Sequence, residues 1–197
     1  MLVGNKDRFA IEFELDEFFD NSFVAFGTYR IYVNGFCYGE KSPEPSWFGG
    51  VVYGFKELIE EKRNYENFFS EYSDMEIIKT YWHYMSDNPF PTPEEMLEED
   101  NKDFLGIKGK EFKNSFFNFN DRSEAHLDDG SNILLFSNDE IVKLLGYRDL
   151  GLDETDDVIV GDVNSVIIPR EEFDNIIRQT LDTILSERDK AIKEGRV

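Results

Sequence analysis

Apolar and polar side chains alternate from Phe9 to Leu15, with Phe9, Ile11, Phe13 and Leu15 on one side and Ala10, Glu12 and Glu14 on the other. That period of two predicts a half-buried β-strand over 8–16. A second β-rich block runs from Ala25 to Val33 and is followed by Asn34-Gly35 and then Phe36-Cys37-Tyr38. Asn-Gly between two such runs predicts a tight type I′ hairpin. Three antiparallel strands, a meander over about 9–38, therefore open the chain.

Pro43 and Pro45 remove ladder donors and mark a loop, and Gly49-Gly50 extends loose backbone up to Val51. Phe55, Leu58 and Ile59 then share a helical face, which predicts a helix from near Tyr53 to Lys62. The run from Met75 to Met85, with Ile77, Ile78, Tyr81, Trp82 and Tyr84, fits a strand or a short helix and is assigned here as strand. Pro89, Pro91 and Pro93 break the chain. Behind them Glu94, Glu95, Met96, Leu97, Glu98, Glu99 and Asp100 form an acidic helical turn that Thr92 can cap. The pattern between Asn101 and Asp129 is mixed and gives no assignment.

Ile133 to Phe136 reads as a short buried strand. Ser137-Asn138-Asp139 supply cap residues for a short helix over Glu140 to Leu145, ended by Gly146. The stretch from Asp149 to Asp162, rich in Asp and Glu, reads as a loop, and Val163 to Ile168 as a strand that Pro169 ends. Phe173, Ile176, Ile177, Thr180, Leu181, Ile184 and Leu185 trace a stripe at helical spacing. The expectation is an α+β fold in one domain over 1–197, a mainly antiparallel sheet packed by helices that include a long C-terminal amphipathic one.

Composition adds two points. With 19 Phe and 9 Tyr the chain has the aromatic bulk to build a core. Its 42 acidic against 21 basic residues give a net charge of −21, which repels phosphate backbones and anionic lipid and suits a basic partner. Nucleic acid and membrane are therefore not expected partners. No run of 18 apolar residues occurs and the first residues meet charge at once, so the expected location is the cytoplasm. The lone Cys37, in a predicted strand beside aromatic residues, is read as structural.

Candidate chemistry is sparse. His83, His126 and Cys37 are too few for a zinc site, and Asp149 to Asp157 lacks the glycine and glutamate positions of an EF-hand loop. There is no Gly-Lys-Ser/Thr phosphate loop and no Gly-x-Ser-x-Gly elbow, and His126 near Asp128 and Asp129 reads as a loop histidine. No catalytic residue, metal or cofactor is assigned. A binding protein is the expectation, with Trp47-Phe48, between Pro-rich and Gly-rich loops, as an aromatic anchor. Two other readings stand beside it. One is a small metal-dependent or hydrolytic enzyme using clustered Asp and Glu. The other is an adaptor that dimerises through Phe173, Ile177 and Ile184 of the terminal helix, against a default of monomer or weak homodimer.

The text from Gly4 to Leu15, followed by Gly27-Thr28-Tyr29-Arg30-Ile31-Tyr32-Val33-Asn34-Gly35, resembles bacterial polymorphic-toxin immunity proteins, most closely the immunity protein 42 family. The resemblance covers about the first 60 residues and extends loosely to the Val163-to-Pro169 strand with its terminal helix. It implies a cytoplasmic, non-enzymatic inhibitor of a cognate toxin domain of the kind used in contact-dependent growth inhibition, often a basic nuclease. On that reading Glu94, Glu95, Glu98, Glu99, Asp100, Asp153, Glu154, Asp156 and Asp157 supply charge to the toxin contact, and Trp47 an anchor.

Overall fold

The computed structural model describes residues 1–39, 46–60, 71–85, 103–113, 117–118, 130–153 and 158–197. The first sheet is antiparallel and contains β1 (Leu2–Asn5), β2 (Phe9–Phe18), β3 (Ala25–Val33) and β4 (Phe36–Tyr38) in that spatial order. The short β5 (Ser46–Trp47) pairs with β3. The predicted meander is present and gains β1 at its edge. Asn34 and Gly35 have φ of 51° and 83°, as a type I′ turn requires, and they close the β3–β4 hairpin at Val33 and Phe36.

Helix α1 (Phe48–Glu60) begins five residues before Tyr53, where the periodicity placed its start. Gly49 is the reason. Its amide donates to the Phe23 carbonyl at 2.9 Å, and a Cβ there would collide with the Ser22 carbonyl. The glycine admits a close approach of helix and loop, where its text suggested slack backbone.

Helix α2 (Asp74–Met85) corrects the strand assigned there. Ser73 and Glu76 form a capping box: the Ser73 amide donates to Glu76 Oε2 at 2.8 Å, and the Glu76 amide to Ser73 Oγ at 3.3 Å. The Ser73 hydroxyl and amide hold the Glu76 carboxyl below its ordinary range. Ile77, Ile78, Tyr81 and Tyr84 then line one helical face. Downstream lie β6 (Asp103–Phe104), β7 (Ile107–Lys108), α3 (Gly109–Lys113) and β8 (Phe117–Asn118).

The second sheet has the order β11-β10-β9-β8 and is antiparallel, with β9 (Ser131–Ser137), β10 (Ile141–Leu152) and β11 (Val158–Pro169). Strand β10 replaces both the helix expected over 140–145 and the start of the acidic loop, and β11 replaces that loop's end. Asn138 turns the chain instead of capping a helix. Its Oδ1 accepts from the Glu140 and Ile141 amides at 2.9 and 2.8 Å, and its amide donates to the Ile141 carbonyl.

Two apolar clusters meet on this sheet. Val142, Leu144, Ile133 and Leu135 face the larger cluster, with β2, β3, α1 and the terminal helix α4 (Arg170–Lys193). Leu145, Tyr147, Leu134 and Phe136 face a second cluster, with α2, Ile107 and Phe112. A strand buried on both faces is apolar without alternation, which is why its text passes for a short helix. The α4 stripe lies where its spacing put it. Phe173, Ile177 and Ile184 are fully buried inside the chain, so they are not available as a dimer seam. Arg170 ties the pieces together, donating to Asp174 at 2.7 Å, to Ser137 Oγ at 3.1 Å and to the Leu58 carbonyl at 2.8 Å.

Tyr38 links the sheets. Its ring lies over Gly146, its hydroxyl donates to the Asp162 carbonyl, and Asn164 Nδ2 donates to that hydroxyl at 3.2 Å. Burial pushes the phenol up to about 12 from an ordinary 10.0. A phenol raised in the folded state favours folding fully below its unfolded value, and that contribution disappears as pH rises through the folded value. Urea unfolding between pH 10 and pH 12 is therefore expected to show roughly 2 kcal/mol of stability lost through this group. In Tyr38→Phe the loss over the same window is expected to be smaller by that amount. Parallel pH profiles for the two proteins would refute the assignment.

Candidate functional site

The side of the first sheet turned away from its core is set by the parity of β2 and β3. Phe9, Ile11, Phe13, Tyr29 and Ile31 enter the larger cluster, which leaves Glu12, Glu14, Phe26, Thr28, Arg30 and Tyr32 on the outer face. At one end of that face Tyr32 donates to Glu12 Oε2 at 2.6 Å, and Lys6 Nζ lies 3.0 Å from the same oxygen and 4.2 Å from the Tyr32 ring centroid. These bonds, that from Tyr32 first and that from Lys6 second, hold the Glu12 carboxyl below its ordinary range. Arg30 stands 3.8 Å from the same carboxylate. Cys37 pairs with Tyr32 across the strands and is half-buried. This end is a neutralised network.

The other end is aromatic. A register shift between Leu15 and Glu17 sets Glu17 opposite Phe26, and Phe26 in turn pairs with Trp47 of β5. The Trp47 ring lies 3.5 Å from that of Phe26, 4.4 Å from Phe23 and 5.6 Å from Phe19, centroid to centroid. None of these four rings belongs to either core cluster. Trp47 thus lies in a strand, half-buried on the outer face, and not in the loop expected for it. Phe48, the next residue, points the other way and is buried in the larger core.

The predicted acidic residues fall elsewhere. Asp153 is exposed after the end of β10. Glu154, Asp156 and Asp157 lie outside the described residues, as do Glu94, Glu95, Glu98, Glu99 and Asp100, and with them His126. Strand β9 pairs with β10 only as far as Arg148, so the β10–β11 hairpin extends past it and exposes Leu150, Leu152 and Ile159. Phe19, Phe23 and Phe26 were not singled out from sequence. The alternation of β3 could have found Phe26, which it puts on the polar side; Phe19 and Phe23 lie before that strand and carry no such signal.

Little here suggests bond-making chemistry. His83 stacks on Phe104, with ring centroids 4.3 Å apart. Among the described residues no three His, Cys, Asp or Glu side chains converge to hold a metal ion, and no helix is long and apolar enough to cross a membrane.

The fold is similar to that of CdiI from Burkholderia dolosa, known from a crystal structure, at a TM-score of 0.52 and 18% identity over 93% of this chain and 99% of that one. At that identity the likeness speaks for the fold alone. No curated protein sequence matches the chain. The family model described as Immunity protein 42 matches residues 1–183. That match includes both sheets and most of α4, and with it the chain belongs to the Immunity protein 42 family, a family of non-enzymatic inhibitors.

Proposed function

We propose that the protein binds and neutralises a cognate toxin domain, a basic and nuclease-like one, and so protects the cytoplasm of the cell that produces it. The observation that carries this reading is the family match over 1–183, and the net charge of −21 gives it a physical mechanism. A charge excess of this size steers a basic partner into encounter and disfavours neutral or acidic ones. Nucleic acid and membrane surfaces are repelled by the same field. Asp153, Glu154, Asp156 and Asp157, between β10 and β11 in the sequence, and Glu94, Glu95, Glu98, Glu99 and Asp100 are the charged contributors.

The test is co-purification with the toxin domain encoded immediately upstream, together with growth of cells expressing that toxin with and without this protein. Complex formation and restored growth are expected. Reversing Asp153, Glu154, Asp156 and Asp157 to lysine is expected to slow association by about tenfold or more at low salt, with the difference closing as salt rises. An unchanged association rate after reversal of both acidic groups would sink the electrostatic mechanism. Absence of both complex and rescue would sink the function.

A further inference from the structure

We propose that the aromatic end of the outer face, with Phe23 at its exposed edge and Trp47 beside it, is the anchor on which the basic partner docks; this rests on the toxin-binding reading above. Phe23 is 48% exposed although its ring lies against that of Trp47. A large apolar ring held half in water at the margin of an aromatic cluster outside the cores is poor use of hydrophobic surface for folding alone. It is the composition expected where a partner excludes water, since aromatic residues dominate binding energetics at the centres of interfaces.

The loop that carries Phe23 is fixed before any partner arrives. Arg188 of α4 donates from Nε to the Phe19 carbonyl at 2.8 Å and from Nη2 to the Asp20 carbonyl at 2.9 Å. Asn21 Oδ1 accepts from the Phe23 amide at 3.0 Å, and the Gly49 amide donates to the Phe23 carbonyl. Val24, with φ of 64°, turns the chain back into β3. Helix, turn and sheet therefore all hold the backbone that carries the ring, and the ring itself rests on Trp47, which removes much of the ordering cost from binding.

Charge identifies the occupant. Asp16, Glu17 and Asp20 are exposed around the cluster, and Glu17 stands opposite Phe26 in the same row as Trp47. A lysine or, better, an arginine can lay its cation over the Phe23 and Trp47 rings while reaching the Glu17 carboxylate. A basic protein surface fits this end of the sheet; a neutral apolar one would leave three carboxylates to be desolvated without partners.

The experiment uses the full chain and the purified upstream toxin domain. Phe23→Ser and Glu17→Lys are titrated against the toxin beside the wild type, and thermal melts check folding. Because both side chains are exposed, melting temperatures are expected to stay within a few degrees of wild type. Phe23→Ser is expected to weaken binding by about 30-fold or more, mainly through faster dissociation, and Glu17→Lys by about tenfold or more. In a Trp82→Phe background, where Trp47 is the remaining tryptophan, its emission is expected to shift to the blue on complex formation. Wild-type binding with both variants unimpaired, or with Trp47 emission unmoved, overturns the anchor and leaves the toxin-binding reading standing. Failure of the wild type itself to bind removes both.

Discussion

Gly146→Ala is expected to be among the most damaging single-methyl changes in this protein. A Cβ at position 146 would collide with the ring of Tyr38 at its Cε2 and Cζ atoms. That ring is fully buried and pinned at its far end by Asp162 and Asn164, so it cannot swing into solvent as an exposed side chain would. Relief requires β4 and β10 to part, and these strands belong to different sheets. The expected cost is about 3 kcal/mol, at the upper end of ordinary overpacking. For a chain of this size that corresponds to a drop of roughly 6–12 °C in Tm. Urea denaturation should show the effect, and the Gly146→Ala/Tyr38→Ala pair should be less destabilised than the two single losses added together. A loss below about 0.5 kcal/mol would mean that Tyr38 does not clamp the sheets.

The second large effect is expected at Asp74. Lys143 lies on the central strand β10 with its side chain only 6% exposed, and its Nζ meets Asp74 Oδ1 at 2.7 Å. Ser165 Oγ, on the neighbouring β11, donates to the other carboxylate oxygen at 2.6 Å. One carboxylate at the start of α2 thus fastens that helix to two strands of the second sheet. Removing it by Asp74→Ala leaves a buried ammonium without its counter-charge, a loss of several kcal/mol for such pairs. The Asp74 side chain is itself 28% exposed, which places the expected value near the low end, about 3 kcal/mol. Replacing both members, Asp74→Ala with Lys143→Met, removes the stranded charge and is expected to recover part of that loss. A double variant no better than the single one would show that the pair holds the helix by contact geometry rather than by charge.

Much of the architecture is legible in the sequence. The alternation of β2, the Asn34-Gly35 hairpin and the stripe of α4 each satisfy a local rule, and each is where its spacing put it. Of the candidate site, Trp47 was legible as a residue type but not as a place. Its role in the outer face depends on pairing with Phe26, a contact across 21 residues of chain that no local periodicity encodes. The acidic groups could be counted, yet which of them flank an apolar surface depends on strand register.

The two misread elements have different origins. Helix α2 carries its own signature in Ser73 and Glu76, and the dense aromatic run after Met75 masked it. Strand β10 has no such signature. Apart from Lys143, buried on its ion pair with Asp74, Val142 to Tyr147 is apolar on both sides because one face meets α4 and the first sheet while the other meets α2, and a short run of that kind fits a buried helix as well as a central strand. Sequence alone specifies the elements whose two sides see different media, water and core, together with the net charge and the family. Tertiary structure decides the elements that see core on both sides, and it decides which aromatic rings gather at the surface, because both depend on neighbours distant along the chain.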